Sequence, residues 1–220
     1  MEQQFPMIVV HPKDKSTKAL SLIYEELENV TFFDSYEQKH EFIEAIKAAP
    51  KDEPVLLLGH GSPWGLYDMR ISLIIDDIDA EILRDRPNLV CIWCYASDYA
   101  MKHSLKGFFS GMFISEYGEA LDNGVMATEE EIENGAWDFS GRFGDMMRKG
   151  IPLEEIAKEL CDPRHRTSEL TSFNYSRLIY RKEGNEPAPF TWFNWCEDKE
   201  DEFPDHFHED YPIEIEENDG

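Results

Sequence analysis

Basic residues are scarce in this sequence: 21 Lys and Arg stand against 46 Asp and Glu, a formal net charge of −25. That imbalance excludes nucleic acid and anionic membrane as expected partners, because both would be repelled across a Debye length, whereas a basic substrate or partner would be drawn in. No apolar run reaches the roughly 18 residues of a membrane span. The start, MEQQFPMIVV, lacks the basic and long apolar regions of a secretory signal. A cytoplasmic chain is therefore expected. Cysteine is also sparse: Cys91, Cys94, Cys161 and Cys196 show no dense disulfide pattern, so the thiols should stay free. The stretch HPKDKSTKA (11–19) contains no glycine, which argues against a loop that cradles phosphate. No internal repeat is found.

What is present suits a folded α/β chain. A hydrophobic content of 41% over 220 residues provides for one sizeable core. Strand signals at 7–10 (MIVV), 31–33 (TFF), 55–58 (VLLL) and 89–94 (NLVCIWC, from 88) alternate with helical spacing at 17–28 and 35–50 and a short helix at 77–86 (DIDAEILRDR). YDMRISLIID (67–76) reads as a small hairpin or insertion, and GFFSGMFISEYGEA (107–120) as the next strand and its exit. This order predicts a mostly parallel sheet with helices on both faces and a site beyond the carboxyl ends of the strands. Farther on, 128–150 has a helical pattern broken by glycines, PLEEIAKEL opens a helix with Pro152 at its first turn, and LTSFNYSRLIYR fits either a strand or a helix. The expected organisation is an α/β domain over 1–185, then a Pro-rich, aromatic and acidic segment over 186–220 in which TWFNW (191–195) docks on the domain and the acidic remainder stays extended or covers the cleft.

Two strand ends carry the chemistry. In VLLLGHGSPWGLYD (55–68) a run of four aliphatic residues stops at a glycine, and Gly59 and Gly61 bracket His60, so the chain can bend and leave the imidazole at the edge of the sheet. In NLVCIWC a second buried run ends on Cys94. Neighbouring parallel strands lie ~4.8 Å apart, so an imidazole and a thiol leaving adjacent ends can form a nucleophile and base pair, with the backbone N–H groups of Gly61 and Cys94 meeting the oxyanion. Such a neighbour favours the thiolate, and Cys94 is expected to be the most reactive of the four thiols.

These two motifs resemble the caspase-like cysteine peptidases, the group with caspases, legumains, gingipains and bacterial CHAT-domain proteases, over roughly residues 7–114. LLLGHGSPWGL is similar to the His-Gly-Ser form of legumain-like members, and NLVCIWCYAS to the strand bearing the nucleophile. Trp93 stands where a small residue is usual, CYASD lacks the usual glycine, and the interval from His60 to Cys94 is short. The resemblance implies a three-layer fold, His60 as base, Cys94 as nucleophile and a peptide or protein substrate. It places Ser62, Asp98, Ser115 and Glu116 at the substrate pocket, although Asp98 also reads as the cap of the helix that follows it. No cofactor and no metal are expected. The acidic balance favours Arg or Lys before the scissile bond, while Lys13 and Lys15, on the first-strand loop, favour an acidic residue there or simply solvate the surface.

Other readings remain at this level. His60 and Cys94 fit a turn histidine and a packed core thiol, and the same fold also serves as a catalytically silent module that binds a protein partner. Cys91 and Cys94 spell C-x-x-C, but Cys91 lies within a strand rather than at a helix start, which disfavours redox and zinc sites. DHFHED (205–210) reads as a solvated acidic tail.

Overall fold

Aliphatic runs without polar interruption need cover on both sides, and here they make the middle of the sheet. The computed structural model describes residues 7–12 and 14–185. The strands are β1 (Met7–Val10), β2 (Val30–Phe33), β3 (Val55–Leu58), β4 (Gly61–Ser62), β5 (Gly65–Tyr67), β6 (Leu73–Ile75), β7 (Leu89–Ile92), β8 (Gly107–Ser110) and β9 (Leu178–Arg181). Among the described residues one sheet runs β2-β1-β3-β7-β8-β9, parallel except for β9, which lies antiparallel on β8. The expected small insertion is an antiparallel sheet of β4, β5 and β6.

The helices are α1 (Lys39–Ala48), α2 (Ala80–Leu83), α3 (Ala96–Lys102), α4 (Tyr117–Asp122), α5 (Glu129–Arg148), α6 (Leu153–Leu160) and α7 (Glu169–Tyr175). Alternate side chains of each strand feed opposite cores. Val10, Leu57, Cys91 and Phe109 join Phe42 and Ile46 of α1, Leu83 of α2 and Tyr99 of α3. Val9, Leu56, Leu58, Val90, Ile92 and Phe108 meet Phe139 and Phe143 of α5 and Ile156 and Leu160 of α6. The sheet therefore has helices on both faces, as the alternation predicts.

Three local expectations change. The helix expected over 17–28 is a 3-10 helix, Lys18–Ile23, whose period of three keeps Leu20 and Ile23 together against α5. The glycines of 128–150 do not break α5, which is continuous over Glu129–Arg148 and opens on Thr128, whose hydroxyl accepts the Glu131 N–H. Gly144 sits where the backbone carbonyl of Leu22 comes too close for any Cβ. LTSFNYSRLIYR is both alternatives in turn, α7 and then β9. The segment 186–220, with TWFNW and the acidic run, lies outside the described residues, as does Lys13. No described helix is long and apolar enough to cross a membrane.

Candidate active site

Register brings the two motifs level. Leu58 of β3 pairs with Ile92 of β7, and His60 and Cys94 each follow two residues later, on neighbouring parallel strands. The Gly59 N–H, donating to Ile92 O at 3.0 Å, extends that pairing past the strand ends. Gly59 has φ +143°, a conformation that L side chains rarely adopt, and this turns the chain before His60. On the other strand Trp93 N–H donates to Ser110 Oγ (3.1 Å), whose hydroxyl returns a bond to Trp93 O (2.8 Å). Tyr95 then takes a left-handed φ of +68°, and α3 begins at Ala96. Asp98 thus lies inside the first turn rather than at the cap expected for it, the cap position being held by Tyr95.

Trp93, the bulky residue before the thiol, is 1% exposed and packs at 5.7 Å between ring centroids on Tyr99. Its indole N–H donates to Ser62 O at 3.1 Å, and any Cβ at Gly61 would collide with its ring. The indole and Gly61 are a fitted pair. The Tyr67 N–H bonds His60 O, so the next antiparallel pair, Gly61 with Leu66, turns its N–H groups away from the ladder. The N–H groups of Trp93, Tyr95 and Ala96 are taken by Ser110 Oγ, Gly111 O and Trp93 O, whereas that of Cys94 has no partner among the described residues.

His60 is held by the loop after β1. Its Nε2 lies 2.6 Å from Ser16 Oγ and 3.3 Å from Asp14 Oδ1. The single hydroxyl proton of Ser16 goes to Asp14, so Ser16 accepts from Nε2–H, and the neutral ring keeps its lone pair on Nδ1. Burial raises the Asp14 carboxyl, but bonds from the Ser16 hydroxyl and amide and the neighbouring imidazole outweigh it and leave the group below the ordinary carboxylate range. Sequence reasoning passed over Asp14 and Ser16, since neither belongs to a periodic element.

Cys94 faces a different carboxylate. Its Sγ lies 3.5 Å from Phe113 O and 3.7 Å from Glu119 Oε1. Burial first, then the Glu119 charge, push the thiol up to about 12, opposite to the activation expected for a thiol beside a histidine. No hydrogen bond joins Cys94 to His60 among the described residues. The two line one cavity of about 20 Å³, space for about one water, with Ser16, Phe113 and Ser115. Ser16, Ala19, Ser115 and Ala136 also line an adjoining cleft of about 660 Å³ whose walls carry Asp14, Glu116, Glu129 and Glu133 against Lys15 and Lys18.

Of the expected pocket residues, Ser115 lines both spaces and Glu116 the cleft. Asn174 of α7 holds their segment by accepting the Ile114 N–H (2.8 Å) and donating to Ile114 O (3.1 Å). Ser62 instead closes the β4–β5 turn, bonding Tyr67 Oη at 2.6 Å and the Trp64 N–H, and Asp98 contacts Ser97; neither lines the cavity or the cleft. Comparison of the chain with protein-family models, curated proteins and solved structures gives no match.

Proposed function

We propose that this chain is a cysteine peptidase of the caspase-like, three-layer kind, using Cys94 as nucleophile and His60 as base. The carrying observation is the level exit of His60 and Cys94 from adjacent parallel strands into one cavity. In the reaction His60 Nδ1 takes the thiol proton and Sγ attacks the carbonyl carbon of the scissile bond. The electron pair displaced onto oxygen is met by the N–H groups of Gly61 and Cys94. Collapse of that adduct breaks the C–N bond as the imidazolium returns its proton to the leaving amine. Water, deprotonated by the same nitrogen, then cleaves the thioester and restores the thiol. Ser16, accepting from Nε2–H, and Asp14, which takes the Ser16 hydroxyl proton and lies 3.3 Å from Nε2, hold the ring in the tautomer this requires. The cleft's four carboxylates and two lysines favour a substrate with Arg or Lys before the scissile bond.

A peptidyl electrophile carrying Lys or Arg, followed by mapping of the modified residue, tests the reading. Labelling at Cys94, lost in Cys94→Ala and slowed about 10²-fold or more in His60→Ala, is expected from a base of this type. Labelling confined to Cys161 or Cys196, or equal in His60→Ala, overturns it. The raised thiol favours a second reading, a silent module that binds a protein partner through the same edge. That reading predicts no labelling at Cys94 and partner binding unaltered in Cys94→Ala.

A further inference from the structure

Glu119 occupies the third position of α4, yet its carboxylate turns back across the strand exit. Oε2 accepts the Ser115 N–H at 2.7 Å, the Ser115 hydroxyl at 3.2 Å and the Glu116 N–H at 3.1 Å. Three donors fix one oxygen, and they leave the other, Oε1, at 3.7 Å from Cys94 Sγ. A carboxylate anchored so firmly presents an acceptor for S–H and a negative charge beside any thiolate, and both effects favour the protonated sulfur. We infer that Glu119 is a positioning residue that keeps Cys94 as a neutral thiol in the resting protein, with its S–H turned toward the Ser115–Glu119 turn instead of His60. This rests on the reading of Cys94 as the nucleophile.

Burial itself favours the protonated sulfur, and Glu119 adds to it a hold that the other charged and accepting groups around the sulfur do not supply. Glu116, on the same turn, adds a weaker negative field, and Tyr95, the adjacent residue, is itself subject to the charges of Asp98 and Arg177. His60 stands across the cavity from the β3 exit with Asp14 behind it, and the backbone carbonyl of Phe113 is the remaining acceptor. The hold is also linked to the cleft, because Ser115, one of the anchors of Oε2, lines cavity and cleft alike. A bound peptide that takes the Ser115 hydroxyl competes directly for the anchor.

The test is the pH dependence of Cys94 alkylation by iodoacetamide on the full chain, with the labelled cysteine assigned by mass mapping. In Glu119→Gln, which keeps an acceptor oxygen but loses the charge, the midpoint should fall by at least about one pH unit. At pH 8 the rate should rise about threefold, a tenfold gain in thiolate being offset by its lower intrinsic nucleophilicity. Glu119→Asp, with the charge withdrawn by one methylene, should fall between the two and serves if the Gln variant does not fold. A midpoint unchanged in the folded variants overturns the inference. The readout needs no turnover, so a lowered midpoint without labelling by the peptidyl electrophile would strike the peptidase reading and leave Glu119's hold on the thiol standing.

Discussion

His11 shows how one side chain can make the molecule sensitive to acid. It follows β1, is 5% exposed, and its ring nitrogens bond Tyr24 Oη at 3.0 Å and Thr17 Oγ1 at 3.2 Å. Burial lowers its pKa to about 4 despite the nearby Asp14 and Glu25 carboxylates. The folded state therefore keeps the ring neutral where the unfolded chain binds a proton, so stability is full above about pH 6.5 and is lost as pH falls toward 4. The loss from this group alone is about 3 kcal/mol by linkage. Urea unfolding at pH 7 and pH 4, compared between the wild type and His11→Gln, should show the variant losing that much less across the interval. Equal losses would assign the acid sensitivity to other groups. Part of the site was open to the same residue-level reading of sequence: glycines around a histidine after four aliphatic residues announce a strand end, as does a cysteine closing another buried run. Asp14, Ser16 and Glu119 were not legible, because each meets its partner through a loop or turn whose path no hydrophobic period encodes.

Helix α5 and the 3-10 segment Lys18–Ile23 lie against each other, and two glycines on the helix measure that contact. Glycine in a helix ordinarily costs about 1 kcal/mol relative to alanine. At Gly141 a Cβ would sit 3.7 Å from Leu22 Cδ1, an ordinary contact, so Gly141→Ala should stabilise the protein by about 0.5–1 kcal/mol. At Gly144 a Cβ would run into the Leu22 carbonyl, and Gly144→Ala should destabilise by about 1–3 kcal/mol through the forced separation. Opposite signs in chemical denaturation are the expected result. Same-sign changes would show that the helix and the segment are not in this close approach. Glycine as a helix breaker is a local rule, and tertiary packing overrides it here. The buried strands were readable because burial on both faces leaves no other use for such sequences, whereas the 3-10 geometry of 18–23 depends on what it packs against.

The charge of the whole chain acts on encounters. With a formal −25 and a cleft walled by Asp14, Glu116, Glu129 and Glu133, a cationic peptide is steered inward at low salt. Between about 0.01 and 0.15 M salt the Debye length shrinks from about 30 to about 8 Å. On the proposed peptidase reading, kcat/KM for an Arg- or Lys-containing peptide should therefore fall several-fold over that interval, while that for an acidic peptide should hold or rise. A profile falling equally for both would detach the specificity from the field and leave Lys15 and Lys18 as the local determinants. On this scale the mixed fold, with its mostly parallel sheet and helices on both faces, followed from the alternation of strand and helix signals along the chain. The antiparallel placement of the last strand did not, since LTSFNYSRLIYR carried the periods of both element types.

That last strand has a consequence in time. β8 contributes Phe108 and Phe109 to the two cores, and its outer edge is covered only when Leu178–Arg181 arrives, after α4, α5, α6 and α7 have all been made. On a ribosome, where the chain emerges from its amino end, the sheet passes through a period with its five parallel strands already available and the backbone edge of β8 still bare. Such an edge is a template for another strand, including one from a neighbouring nascent copy. A pause in translation between 111 and 177 would therefore lengthen the period in which an unfinished chain can aggregate through its own sheet.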